Sequence, residues 1–223
     1  MIKSLKKMLL QNSRQAFWIS FLACLVLGFF ILFVVAPITG LSKNFGAGND
    51  GYIQLARSLV AGDGYVFKKG GPQVFNRPPL YPIFLVPVAL FPEFMQRCVI
   101  VIPQSILVGF IGMMTFKIAS RLYNRAAATV ALLLFLVNPW VYWNAKNPMT
   151  PILQTFLYLI FAYFSAVELF EIFNLAGRRA KSQVWLHGFI IGVFGAGLAL
   201  THAAMLPVVF GFIFLYFRRI MPI

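Results

Sequence analysis

Charge is scarce in this chain, and acid is scarcer still. Only 11% of the 223 residues are charged, while 61% are hydrophobic. Soluble domains carry about 25% charged residues. A soluble core has no use for that much apolar surface, whereas a bilayer does. The acidic residues number five, so any carboxylate chemistry must come from Asp50, Asp63, Glu93, Glu168 or Glu171. The two cysteines, Cys24 and Cys98, exclude a disulfide framework. With only two histidines, no Cys/His set of metal-ligand spacing exists. Repeats are missing too, and ionisable residues are almost absent from the centres of the apolar runs. Both absences weigh against a transporter or flippase.

Basic residues are plentiful: 19 Lys and Arg give a net charge of +14. They sit at the ends of apolar runs rather than along one face, which excludes nucleic acid as the partner. Flanking positive charge reports orientation and attraction to anionic lipid.

The runs themselves set the fold class. A basic segment, Met1 to Arg14, precedes an apolar run from Ala16 to Ala36 that ends before Pro37. That run is longer than the core of a signal peptide and has no convincing cleavage site, so it reads as a retained anchor. A long polar stretch, 38–97, follows. Apolar runs then recur at Val99–Ala119, Ala126–Val141, Pro151–Val167, Val184–Met205 and Leu206–Phe217. At about 20 residues per crossing, the pattern predicts an all-α polytopic membrane protein of about six spanning helices. Residues 1–223 form one transmembrane domain on this reading, with 38–97 as an outer loop.

Suppose the N-terminus is cytoplasmic. Lys117, Arg121, Arg125, Arg178, Arg179, Lys181, Arg218 and Arg219 then share the inner side with Lys3, Lys6, Lys7 and Arg14. Outside the long loop, the other side carries only Lys146. This is the positive-inside pattern. One run, Leu80–Phe91, has only about 12 residues, or about 18 Å of helix, too short to span. It reads as an interfacial or re-entrant helix on the outer side.

The outer loop holds the candidate chemistry. Tyr52, Leu55, Ala56 and Leu59 fall at helical spacing and make one apolar stripe. The spacing predicts a short amphipathic helix on the membrane surface, stopped by Gly62-Asp63-Gly64. Asp50 stands at its start. Local sequence suits an N-cap there, and a capped carboxylate also has a fixed direction for acid–base work. Asp63 suits a turn. If an outer-face reaction needs a carboxylate, Asp50 leads, with Asp63 and Glu93 behind it. Asn76-Arg77-Pro78-Pro79-Leu80-Tyr81-Pro82 is stiffened by its prolines. It holds Arg77 at the surface, either as a headgroup anchor or as a bidentate phosphate ligand.

Together, Asp50-Gly51-Tyr52, Leu55-Ala56-Arg57-Ser58-Leu59, Gly62-Asp63-Gly64-Tyr65 and Arg77-Pro78-Pro79-Leu80-Tyr81-Pro82 resemble the first outer loop of GT-C membrane glycosyltransferases. The branch most resembled holds the protein O-mannosyltransferases and the lipid A aminoarabinose transferases. Ala119-Ser120-Arg121-Leu122-Tyr123-Asn124-Arg125-Ala126-Ala127-Ala128 resembles the basic inner turn of that family. Asn138-Pro139 resembles the end of its third helix, and Gly197-Leu198-Ala199-Leu200-Thr201 its glycine-rich fifth helix. The likeness covers nearly the whole chain. Its loop motifs are specific in order and spacing, and its helix features are weak, because small residues suit any helix contact.

The resemblance implies transfer of a sugar from a polyprenyl-phosphate carrier to a protein, lipid or glycan acceptor on the outer face of the bacterial cytoplasmic membrane. It makes Asp50 the general base and Arg77 the donor-phosphate ligand, with Tyr81 shaping the lipid entrance. Lys146 is a second phosphate contact on this reading, or else a solvated loop charge. His202 touches phosphate, or packs as a hydrogen-bonded core histidine. No cofactor is implied. Two departures stand out. The stretch Asn147-Pro148-Met149-Thr150-Pro151 lacks the second acid that many relatives have, so no metal is expected. The chain is also about half the usual family length. A natural short form, a truncated product and one subunit of a complex all fit that length. A non-catalytic scaffold or lipid-binding subunit of the same fold is the alternative function.

Overall fold

The computed structural model describes residues 21–35, 51–174 and 181–201, with isolated positions at 15, 18, 19, 38 and between 206 and 214. Everything regular in it is helical. Among the described residues no strand forms beyond a single antiparallel bridge, Val66 to Gln73.

The first helix, α1, covers Phe21–Val35, its last turn Ile31–Val35 wound as π-helix. It crosses α4 (Glu93–Leu122) where small residues let the backbones approach. A Cβ on Gly112 would collide with the Cys24 thiol, and one on Gly109 would press on the Phe21 ring. At 30 residues, α4 is about 45 Å long. It is the central helix, packing on α5 (Arg125–Leu136), α6 (Pro139–Lys146) and α7 (Pro151–Asn174). The eighth helix, α8 (Lys181–Thr201), lies against α7.

Two short helices between α1 and α4 form a separate layer. The stripe read from sequence does form a helix, α2 (Tyr52–Val60), after Gly51 at φ 83°. Its C-terminus closes through the Asp63 N–H, which donates to the Ser58 carbonyl at 3.0 Å. Gly62 and Gly64 take the left-handed conformations that this turn demands. The stripe is not spent on lipid, however. Tyr52, Leu55 and Ala56 are buried, and so are Ile53 and Ser58, because α2 packs on α3 (Leu80–Ala89). The short run at Leu80–Phe91 is thus a helix of 10 residues, as its length predicts. Its Leu80 reaches toward Gly197 of α8.

The expectation of six crossings is corrected for the described residues. One helix there, α4, is long and apolar enough to span. A second span exists only if α5 and α6 are taken as one, bent by 51°. The apolar run Ala126–Val141 therefore breaks where one helix was expected. Asn138 starts a new helix by accepting the Trp140 N–H at 3.0 Å. Pro139, at the first position of α6, has no N–H to continue the old one. Most of Leu206–Phe217 lies outside the described residues.

Candidate functional site

Arg77 is held from two directions. Its guanidinium carbon lies 5.5 Å from the centroid of the Tyr52 ring, a cation–π distance. Its backbone carbonyl accepts the Tyr65 hydroxyl at 3.0 Å, and the Pro78 carbonyl shares the same donor at 3.2 Å. Pro78 and Pro79 fix the chain just beyond. The arginine is therefore placed by an aromatic platform on α2 and by a tyrosine at the foot of the hairpin 65–74. That hairpin is closed by the Val74 N–H donating to the Tyr65 carbonyl at 2.9 Å.

Beneath the platform lies Tyr81, fully buried. Its ring meets Tyr52 edge-on at 5.2 Å and stacks with Phe84 at 5.8 Å. The Tyr81 hydroxyl accepts from Gln104 Nε2 at 2.9 Å, which ties α3 to the middle of α4. Burial drives the Tyr81 phenol well above its ordinary pKa; the Gln104 hydrogen bond opposes this and Tyr52 adds to it. Tyr65 is pushed up to about 12, chiefly by burial and then by Tyr52, with Arg77 pulling the other way. Both phenols are neutral at physiological pH, so neither is a general base there.

Lys146 is not a solvated loop charge. It closes α6 with only 7% of its surface exposed, its ammonium 3.9 Å from the centroid of the Trp143 ring. Its neighbour Ala145 belongs to the buried cluster that contains Tyr52 and Tyr81. Asn144 donates to the Trp140 carbonyl at 2.8 Å, and Asn147 to the Trp143 carbonyl at 3.1 Å. The Asn147 Oδ1 is buried without a hydrogen bond.

The other outer acids are engaged elsewhere. Glu93 meets Arg57 at 3.4 Å, and Arg57 also donates to Gln96 at 2.5 Å. Asp63 faces Lys69 at 3.9 Å. Asp50 and His202 lie outside the described residues. Among the described residues no three of His, Cys, Asp and Glu come together.

Of the residues singled out in the sequence, the structure therefore brings Arg77 and Tyr81 together through Tyr52. Sequence reasoning missed the parts played by Tyr65 and Gln104. Tyr65 stood inside the Gly-Asp-Gly-Tyr motif but had no visible partner. Gln104 was a polar residue in an apolar run, which is a signal in itself.

Compared with protein-family models, curated proteins and solved structures, the chain matches none.

Proposed function

We propose that this chain is a GT-C-like glycosyltransferase that moves a sugar from a polyprenyl-phosphate carrier to an acceptor on the outer face of the membrane. The observation that carries the reading is the placement of Arg77. A guanidinium held by a platform and a pinned backbone is preorganised for a phosphate, and a surface anchor needs no such support. It stands at the end of an apolar helix, α3, where a lipid-linked phosphate would arrive.

The chemistry follows from the pieces. An acceptor hydroxyl attacks the anomeric carbon of the donor sugar. The bond from that carbon to the phosphate oxygen breaks, and the phosphate leaves with the electron pair. Arg77 neutralises the charge that develops there, and Lys146 supplies a second cation. Asp50 takes the hydroxyl proton, a contribution of about 10²–10⁴-fold. Glu93 and Asp63 are poorer candidates because each already faces a cation.

A membrane setting is part of the proposal. Outward-facing apolar side chains run along α1 (Leu22, Val26, Phe30), α5 (Val130, Leu133, Leu134) and α8 (Phe189, Val193, Leu200). Water would disfavour such faces and lipid would not. They support crossings beyond those that helix length alone identifies. The basic clusters favour a multi-pass inner-membrane protein with a cytoplasmic N-terminus.

A non-catalytic lipid-binding subunit is the second reading, favoured by the lack of acid in 147–151. Purified chain in liposomes, given radiolabelled polyprenyl-phosphate sugars, separates the two. Release of label by the wild type, lost in Asp50→Asn, supports the transferase. If no label is released even with crude envelope extract as acceptor source, while the carrier binds in an Arg77-dependent way, the chain is a lipid-binding subunit.

A further inference from the structure

A second site lies on the hairpin that carries Tyr65. Between Phe67 and Phe75 the surface forms an open concavity of about 520 Å³. That size falls in the ~300–1,000 Å³ range of small-molecule sites. Pro72 and Val74 add apolar lining, and Gln73, Asn76 and Lys68 also border it. Phe75 is 87% exposed, so its ring is open to a ligand. Phe67 has a second contact: its ring packs over Gly51 so closely that a Cβ there would strike it. Gly51 is the residue after Asp50.

We infer that this cleft binds the acceptor, and that the acceptor is a neutral or anionic saccharide. Three features select that chemistry. The C–H face of a pyranose carries slight positive charge and stacks on the negative face of an aromatic ring. Neighbouring sugar hydroxyls each need a donor and an acceptor, and a side-chain amide such as Gln73 or Asn76 offers both at once. The lining contains Lys68 and no acid, so a cationic ligand is disfavoured and a carboxylated or phosphorylated sugar is welcome. A hairpin that wedges into lipid would suit exposed Phe and Lys as well. A lipid wedge, however, has no use for the amide residues Gln73 and Asn76 that line the hollow.

The role as acceptor site rests on the transferase reading, but the binding does not. Through the contact of Phe67 with Gly51, a saccharide in the cleft adjoins the start of α2, the end of the chain segment that carries the proposed base. Openness suits this role: an acceptor that arrives from outside and leaves as product gains from fast release, whereas the donor arrives through lipid.

The full chain in zwitterionic nanodiscs, without donor, is the material for the test. Saturation-transfer NMR would be run with a neutral hexose disaccharide, a uronic-acid disaccharide and a short Ser/Thr peptide. The expected result is binding of at least one disaccharide, weakened about 10-fold in Phe75→Ala and several-fold in Gln73→Ala. Phe75 is so exposed that its removal should leave the fold intact, and a thermal melt checks this. Three results would overturn the inference: no disaccharide binds, the peptide binds instead, or Phe75→Ala lowers attachment to anionic liposomes while saccharide binding persists. Donor binding, measured separately on Arg77→Ala, reads the transferase proposal by itself, so either can fail without the other.

Discussion

The Tyr52 ring contacts both the Arg77 guanidinium, whose carbon is 5.5 Å from the ring centroid, and the Tyr81 ring, 5.2 Å away centroid to centroid in an edge-to-face arrangement. One aromatic thus joins the candidate phosphate ligand to the buried core. Tyr52→Phe keeps the ring and should leave carrier binding within about twofold. Tyr52→Leu removes the quadrupole while keeping apolar volume. A cation–π contact is worth about 0.5–2 kcal/mol, so carrier affinity should fall about 2–30-fold. A carrier-binding titration on both variants checks it. Equal loss in the two would mean that the hydroxyl, not the ring, supports Arg77.

Tyr65 acts on the same arginine through its backbone. Tyr65→Phe deletes the donor shared by the Arg77 and Pro78 carbonyls, at a cost of about 1 kcal/mol in stability. Its pKa gives an independent readout. The folded value is about 12, above the ~10 of a free phenol. The neutral form is thus favoured in the folded state. Its contribution is complete below about pH 10 and lost as pH rises toward about 12. Melting in detergent between about pH 10 and 12 should therefore show a decline that is shallower in Tyr65→Phe. Some slope should remain, because burial also raises Tyr81.

The Tyr81–Gln104 bond lends itself to a double-mutant cycle. Either single change, Tyr81→Phe or Gln104→Leu, strands a buried polar partner, which costs about 1–3 kcal/mol. The double variant removes both and should recover part of that loss. Coupling of about 0.5 kcal/mol or more in denaturation midpoints is the expected outcome. Strict additivity would mean that the two side chains do not depend on each other.

These pairs also mark where sequence reading ran out. The stripe Tyr52-Leu55-Ala56-Leu59 and the proline-stiffened Leu80 segment were legible because helical period and proline geometry are local. The break at Asn138-Pro139 was legible in principle, since Asn followed by Pro is a helix-start signature; counting apolar length masked it. Gln104 was visible as an anomaly, but its partner stands 23 residues away. The acceptors of Tyr65 are backbone carbonyls, which carry no sequence mark at all. Lys146 admitted a solvated reading because it fell on the short loop Trp143–Thr150. Its burial arises from the packing of α6 on α4, which no window along the chain reveals.

The acids give the sharpest test of the reaction. Glu93 is 83% exposed at its side chain and pairs with Arg57 at 3.4 Å; Asp63 sits 3.9 Å from an exposed Lys69. Surface pairs of this kind are worth about 0–1 kcal/mol, so Glu93→Gln and Asp63→Asn should barely move the melting temperature. Neither is assigned the proton, so both should transfer sugar within about twofold of wild type. Asp50→Asn should lose about 10²–10⁴-fold in kcat with carrier affinity retained, because the proposed phosphate ligand is Arg77 and not Asp50. Single-turnover transfer beside carrier binding separates these effects. A Glu93→Gln variant as inactive as Asp50→Asn would move the base to the start of α4, and the Arg57 pair would then be the device that orients it.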